Sequence, residues 1–201
     1  MSYRLSLDEL RDVSLLYERR KFPGPELVLP ETARRYLEHA IAPRNRLASA
    51  VRLQMHGELK LKTWLPFTAE QVIRWDRGMI WKATVYRSRL PIRGFDRLLD
   101  GQGEMQWKFL GILPVSRASG PDTTRSTVGR MQAEVIWLPS VLCDPEVSWT
   151  ETDTTHTQAH FALQGEPTTL ELNIDQDGRV KTASLPRWGE SGREVECRSG
   201  S

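Results

Sequence analysis

The sequence predicts a mainly antiparallel α+β fold, a curved sheet or half-barrel of about nine strands with two helices ahead of it and one helix inserted on its concave face. Three observations predict it. From residue 51 to residue 185 apolar residues recur mostly with a period of two, the spacing of strands with one wet face. Short turn signals separate these runs, so neighbouring strands must be antiparallel, because a parallel pair needs a crossover of roughly a dozen residues. Helical spacing occurs ahead of the strands and once between them.

The first helix is expected over 7–20, where Leu7, Leu10, Val13 and Tyr17 follow the cap residue Ser6. FPGPELVLP then acts as a hinge. A second helix over 31–41 carries the stripe Ala33, Tyr36, Leu37 and Ala40 and is closed by Pro43. In VRLQMHGELKLKTW the residues Val51, Leu53, Met55, Leu59 and Leu61 alternate with charged and polar ones, as in one long strand. The Leu65-Pro66 step breaks it, and AEQVIRW is the next strand. MIWKATVY follows, with Met79, Trp81, Ala83 and Val85 on one face. Beyond a Pro/Arg loop come GFDRLLD, the turn signal DGQG, and EMQWKFLGIL with Met105, Trp107 and Phe109 aligned.

Within ASGPDTTRSTVGRMQAEVIW, Val128, Met131, Val135 and Leu138 return to helical spacing, and Pro139 ends or kinks the helix. EVSWTE, THTQAHFALQ, TTLELNID and RVKTASL complete the strands, the last three joined at GEP and QDG. Residues 1–29 are thus a helix and hinge, 30–188 one curved-sheet domain, and 189–201 a polar tail expected to be disordered, whose closing Gly-Ser reads as an appended linker.

Composition narrows the function. The chain has 201 residues, 39% hydrophobic and 27% charged, and a core of that size needs no staples. A net charge of +2 with no Lys/Arg block gives no argument for nucleic acid. No apolar run reaches signal-peptide length or the ~20 residues of a membrane span, so a cytoplasmic chain is expected. Cys143 and Cys197 make no disulfide framework and read as independent thiols. Seven tryptophans are many, and Trp favours cores and aromatic-lined pockets.

The runs LPETARRYL, RLQMHGELKLKTWLPFTAEQ, DGQGEMQWKFLGILPV, ASGPD followed by GRMQAEVIWLPSVL, and TTLELNIDQDGRV resemble a bacterial family known only as a domain of unknown function. The resemblance covers about residues 29–188 and implies no activity, substrate or catalytic residue. It implies Gly-Glu-Leu where this chain has Ser126, Thr127 and Val128, so an acid expected at Thr127 is missing. It also implies further strands beyond PRW. By strand count and inserted helix, the architecture is similar to the half-barrels that carry lipoprotein acyl chains, a likeness of fold alone.

The first candidate site is on the inserted helix. Arg130 and Glu134 stand at i and i+4 and can pair, with Trp137 over the same face. Turned into the half-barrel, the pair would be desolvated and held tightly, which suits a ligand or a reacting group; otherwise it anchors helix to sheet while Trp137 fills core. Trp81 and Trp107, on apolar strand faces, suit a flat or greasy ligand as well as a packed core. Asp96, in an otherwise apolar segment, is a further acid or base candidate, and Asp100 serves a turn.

No metal site is expected. His156 and His160 share one strand face but lie about 13 Å apart, and His39 and His56 have no ligand partners at suitable spacing. The serines lack a nucleophile elbow, DGQGEM lies between strands rather than before a helix, and Cys143 sits in an apolar stretch with no neighbouring base.

Three readings result. The leading one is a binding module without catalysis or cofactor, holding a hydrophobic small molecule or acyl chain with Trp81, Trp107, Arg130, Glu134 and Trp137. The second is a cofactor-free cyclase, isomerase or hydrolase using Glu134 as acid or base and Arg130 to hold an anion. The third is a protein-interaction domain, a homo-oligomer included, docking through an open C-terminal sheet edge.

Overall fold

The computed structural model describes residues 21–22, 28–60, 62–87, 90–186 and 197–198. The helix expected over 7–20 and most of the tail lie outside them. Chain order begins with α1 (Glu31–Ala40) and the strands β1 (Ala50–Lys60), β2 (Trp64–Arg74), β3 (Gly78–Arg87), β4 (Leu90–Leu99), β5 (Gln102–Phe109) and β6 (Leu113–Ser119). Then come α2 (Pro121–Ala133), two 3₁₀ turns (Glu134–Trp137 and Pro139–Cys143), and β7 (Ser148–Glu151), β8 (His156–Leu163), β9 (Glu166–Ile174), β10 (Val180–Ser184) and β11 (Cys197–Arg198).

The class is the expected one, mainly antiparallel β with few helices, but the strands form two open sheets rather than one. β1 to β6 make a six-stranded sheet in sequence order, and β7 to β11 a five-stranded sheet ordered β11-β10-β9-β8-β7. The division falls at the one long connection, where α2 and the 3₁₀ turns replace a hairpin and nothing carries the register forward. The molecule divides in two there, one unit containing Ala50–Thr127 and the other Ser14–Ser49 with Val128–Ser201.

The expected strand over 104–113 is really the end of a hairpin. Leu110 and Gly111 both take positive φ (54° and 77°), as do Asp100 with Gly101 and Gln164 with Gly165, the backbone of a two-residue turn matched to strand twist. β6 therefore begins at Leu113, an element the sequence pattern did not suggest.

Four prolines stand inside strands. Pro66 pairs with Glu58, Pro91 with Tyr86, Pro114 with Lys108 and Pro167 with Ala162. Each has a ladder partner on one side only, because the ladder on the other flank starts beyond it, at Phe67 in β2, Ile92 in β4 and Glu171 in β9, or does not exist beside β6. The missing N–H then costs no second ladder. Hence β2 and β4 run through the Leu65-Pro66 break and the Pro/Arg loop expected from sequence.

In the second unit α1 packs against β7, β8 and the 139–143 turn. Thr32 Oγ1 donates to Glu151 Oε1 at 2.6 Å, and Thr32, Ala33, Tyr36 and Leu37 are buried, whereas Ala40 is exposed. Gly178, at φ 85°, lets the β9–β10 turn approach α1: a β-carbon there would stand 2.4 Å from the Arg35 carbonyl oxygen. The edge expected to be open at β10 carries β11, with Thr182 opposite Arg198 and Ala183 opposite Cys197.

Candidate functional site

Register assigns the two faces of the six-stranded sheet. Directly opposite residues of antiparallel strands share a face, with β-carbons about 4.5–5.5 Å apart. One cross-strand row reads Leu53, Gln71, Trp81, Asp96 and Met105; the next reads Met55, Ala69, Ala83, Gly94 and Trp107. The second row is small at its centre, and the aromatic rings of its neighbours use that space. Trp81 and Trp107 meet at 5.8 Å between centroids, tilted 60°, and Phe67 meets Trp81 at 6.4 Å. Ala69, Trp81 and Ala83 are buried, with Met55, Phe67 and Trp107 packed around them and partly exposed.

Two polar groups stand on this greasy face beside Trp81. Gln71 is fully buried and its amide nitrogen lies 3.6 Å from Met79 Sδ; Asp96 is half-buried with Oδ1 out of solvent. The structure thus brings together Trp81, Trp107 and Asp96, three of the residues singled out from sequence. Gln71 and Phe67 were missed, although both lie at the apolar parity of β2. The start of α2 rests on the same face: Gly103, opposite Leu98, donates its N–H to Thr124 Oγ1 at 2.9 Å, and a β-carbon on Gly103 would stand 2.6 Å from Thr124 Cα.

The other face is mostly polar, although Val72 and Ile80 are buried on it with Leu99 packed against them. A groove of about 750 Å³ crosses it, lined among others by Gln54, His56, Glu70, Lys82, Arg93 and Lys108. Charged and polar side chains thus share the groove with Phe95 and Met55.

Arg130 and Glu134 form the expected pair, Nε to Oε1 at 2.9 Å, with side chains 18% and 17% exposed. The α-helix ends at Ala133, so Glu134 opens a 3₁₀ turn and Trp137, three residues on, is 51% exposed. Trp137 therefore does not fill core, one of the two roles expected for it. Thr127 is buried in α2, and its hydroxyl donates to the Thr123 carbonyl at 2.7 Å, a role an acid would not fill. His156 and His160 sit in separate networks, the first with Asp153 and Asn173, the second with Thr150 and Thr169. Cys143 is buried, and its thiol donates to the Pro139 carbonyl at 3.8 Å.

A family of unknown function, DUF6920, matches residues 28–198. The chain belongs to DUF6920. No curated protein and no solved structure matches this DUF6920 chain, and the likeness to lipoprotein carriers gains no support from them. Among the described residues no helix is long and apolar enough to cross a membrane.

Proposed function

We propose that the domain binds a hydrophobic small molecule or acyl chain on the apolar face of the six-stranded sheet, without catalysis. One observation carries the reading. Leu53, Met55, Phe67, Met105, Trp107 and Phe109 share that face and all remain half-buried around the Ala69–Trp81–Ala83 kernel. A contiguous, partly exposed apolar face is what a ligand can still cover, at about 0.8 kcal/mol per methylene removed from water. Trp81 and Trp107 form the aromatic wall, and Gln71 and Asp96 flank Trp81 on the same face.

The test is titration of the full chain with oleate and with a brominated fatty acid, read by tryptophan fluorescence and native mass spectrometry. A stoichiometric adduct and quenching, both reduced about tenfold in affinity by Trp107→Ala, are expected. Absence of any adduct or fluorescence change across fatty acids and other apolar small molecules overturns the reading.

A cofactor-free enzyme is the second reading, and the position of Asp96 beside Trp81 favours it more than Glu134, which is already engaged by Arg130. Asp96→Asn that leaves fatty-acid affinity unchanged yet abolishes conversion of a bound compound would establish it.

A further inference from the structure

The hairpins β1–β2, β3–β4 and β5–β6 all lie at one end of the six-stranded sheet, because successive strands alternate in direction. Nine large hydrophobic residues are exposed among the described residues, and seven of them are at this end: Trp64, Tyr86, Leu90, Leu110, Ile112, Leu113 and Val115. Ile112 is 73% and Trp64 60% exposed. A cluster of this kind, gathered from three separate turns, is unusual for a surface bathed only by water.

Its charge is one-sided. Lys60, Lys62, Arg87, Arg93 and Lys108 stand among these residues, with Glu58 the one acid beside them, and no ion pair engages the five cations among the described residues. Lys60 instead lies over the Trp64 ring at 5.7 Å. The opposite end of the sheet is built the other way. There Arg74 pairs with Asp76 and Arg77 with Asp100, each at 2.8 Å, so charge is neutralised at the turns.

We propose that this hairpin end docks on an anionic phospholipid bilayer. Trp and Tyr favour the headgroup level, aliphatic tips enter the acyl boundary, and flanking cations meet lipid phosphates. The exposed tips adjoin the apolar sheet face at Leu90 and Leu113 but are residues other than those proposed to hold a ligand there, and the proposal stands whether or not that face takes one.

The experiment mixes the full chain with vesicles of phosphatidylcholine alone or of phosphatidylcholine with phosphatidylglycerol, read by co-sedimentation and by quenching from brominated lipids. Binding is expected to be about tenfold or more tighter on the anionic vesicles and to weaken as salt rises. Ile112→Ser with Leu113→Ser, and separately Lys60→Glu with Lys62→Glu, should each weaken it by about tenfold. Trp64→Phe should remove part of the quenching. These side chains are exposed, so unchanged circular dichroism is expected in every variant. Equal binding to both vesicles, or tip variants that bind as the parent does, overturns the proposal. So does self-association abolished by the Ile112/Leu113 variant without any vesicle binding, which assigns the surface to a second copy of the chain.

Discussion

The indole of Trp107 occupies the space where a side chain at residue 94 would stand. A β-carbon built on Gly94 falls 2.2 Å from Trp107 Cδ2 and 2.7 Å from the Gln106 carbonyl oxygen. The ring and the backbone of β4 are therefore in direct contact, and the tilt of Trp107 against Trp81 depends on the absence of a methyl group. Gly94→Ala is expected to cost about 1–3 kcal/mol by overpacking and to move the Trp107 ring. Urea unfolding followed by near-ultraviolet circular dichroism checks both effects; an unchanged aromatic spectrum would show that Trp107 is not held there.

That glycine also shows what the sequence made legible. The period of two gave the parity of Met79, Trp81, Ala83 and Val85 correctly, because a half-buried strand leaves that mark in any chain. It gave no sheet partners, so the small row Ala69, Ala83 and Gly94, visible only across three strands, could not be assembled. Prolines misled in a uniform way. Pro66 reads as a strand break and Pro91 as part of a loop, whereas each occupies a flank beyond which the second ladder has not begun. Local spacing did bring out the Arg130–Glu134 pair, since i,i+4 contacts need no tertiary knowledge, but the change to 3₁₀ winding at Glu134 left no mark.

Tyr36 is buried on α1, and its hydroxyl has no hydrogen-bond partner among the described residues. Burial, and after it the Cys143 thiol, pushes the Tyr36 pKa well above its ordinary value. Removing an unsatisfied hydroxyl relieves its desolvation, so Tyr36→Phe is expected to stabilise the protein by about 1 kcal/mol, or roughly 2–4 °C in Tm. Because the folded value lies above the unfolded one, stability contributed by the neutral phenol is present below about pH 10 and falls as pH rises past it. The variant should lose that alkaline decline. Thermal melts of both proteins across the alkaline range decide it, and a lower Tm for the variant would mean the hydroxyl has a partner.

Asp153 behaves in the opposite sense. The Thr155 N–H donates to its carboxylate at 2.7 Å, the His156 side chain and the Thr155 hydroxyl add to this, and its pKa falls far below the usual carboxylate range. Its contribution is therefore complete above the unfolded value of about 3.9 and is lost as pH drops from there toward the folded value. Asp153→Asn should flatten the acid side of the stability profile and leave the neutral side less stable. Urea midpoints measured from neutral pH down through the carboxylate range test this; parallel profiles for the two proteins would exclude Asp153 as a contributor.

Arg130 and Glu134 hold each other in a half-buried setting, and that arrangement makes the cost of breaking the pair differ from the value of having it. Removing one partner leaves the other charge partly desolvated, so Arg130→Met or Glu134→Leu alone is expected to cost about 1–3 kcal/mol. Removing both takes out the two desolvation penalties together, and the double variant should lose less than the sum of the singles by about 1 kcal/mol or more. A helix anchor predicts that coupling in stability and nothing else. If the pair also meets a ligand, the singles and the double variant will weaken oleate binding as well, through a separate readout on the same proteins. Additive stability effects with unchanged binding would leave the pair without either role and return the 3₁₀ turn at Glu134 to simple packing.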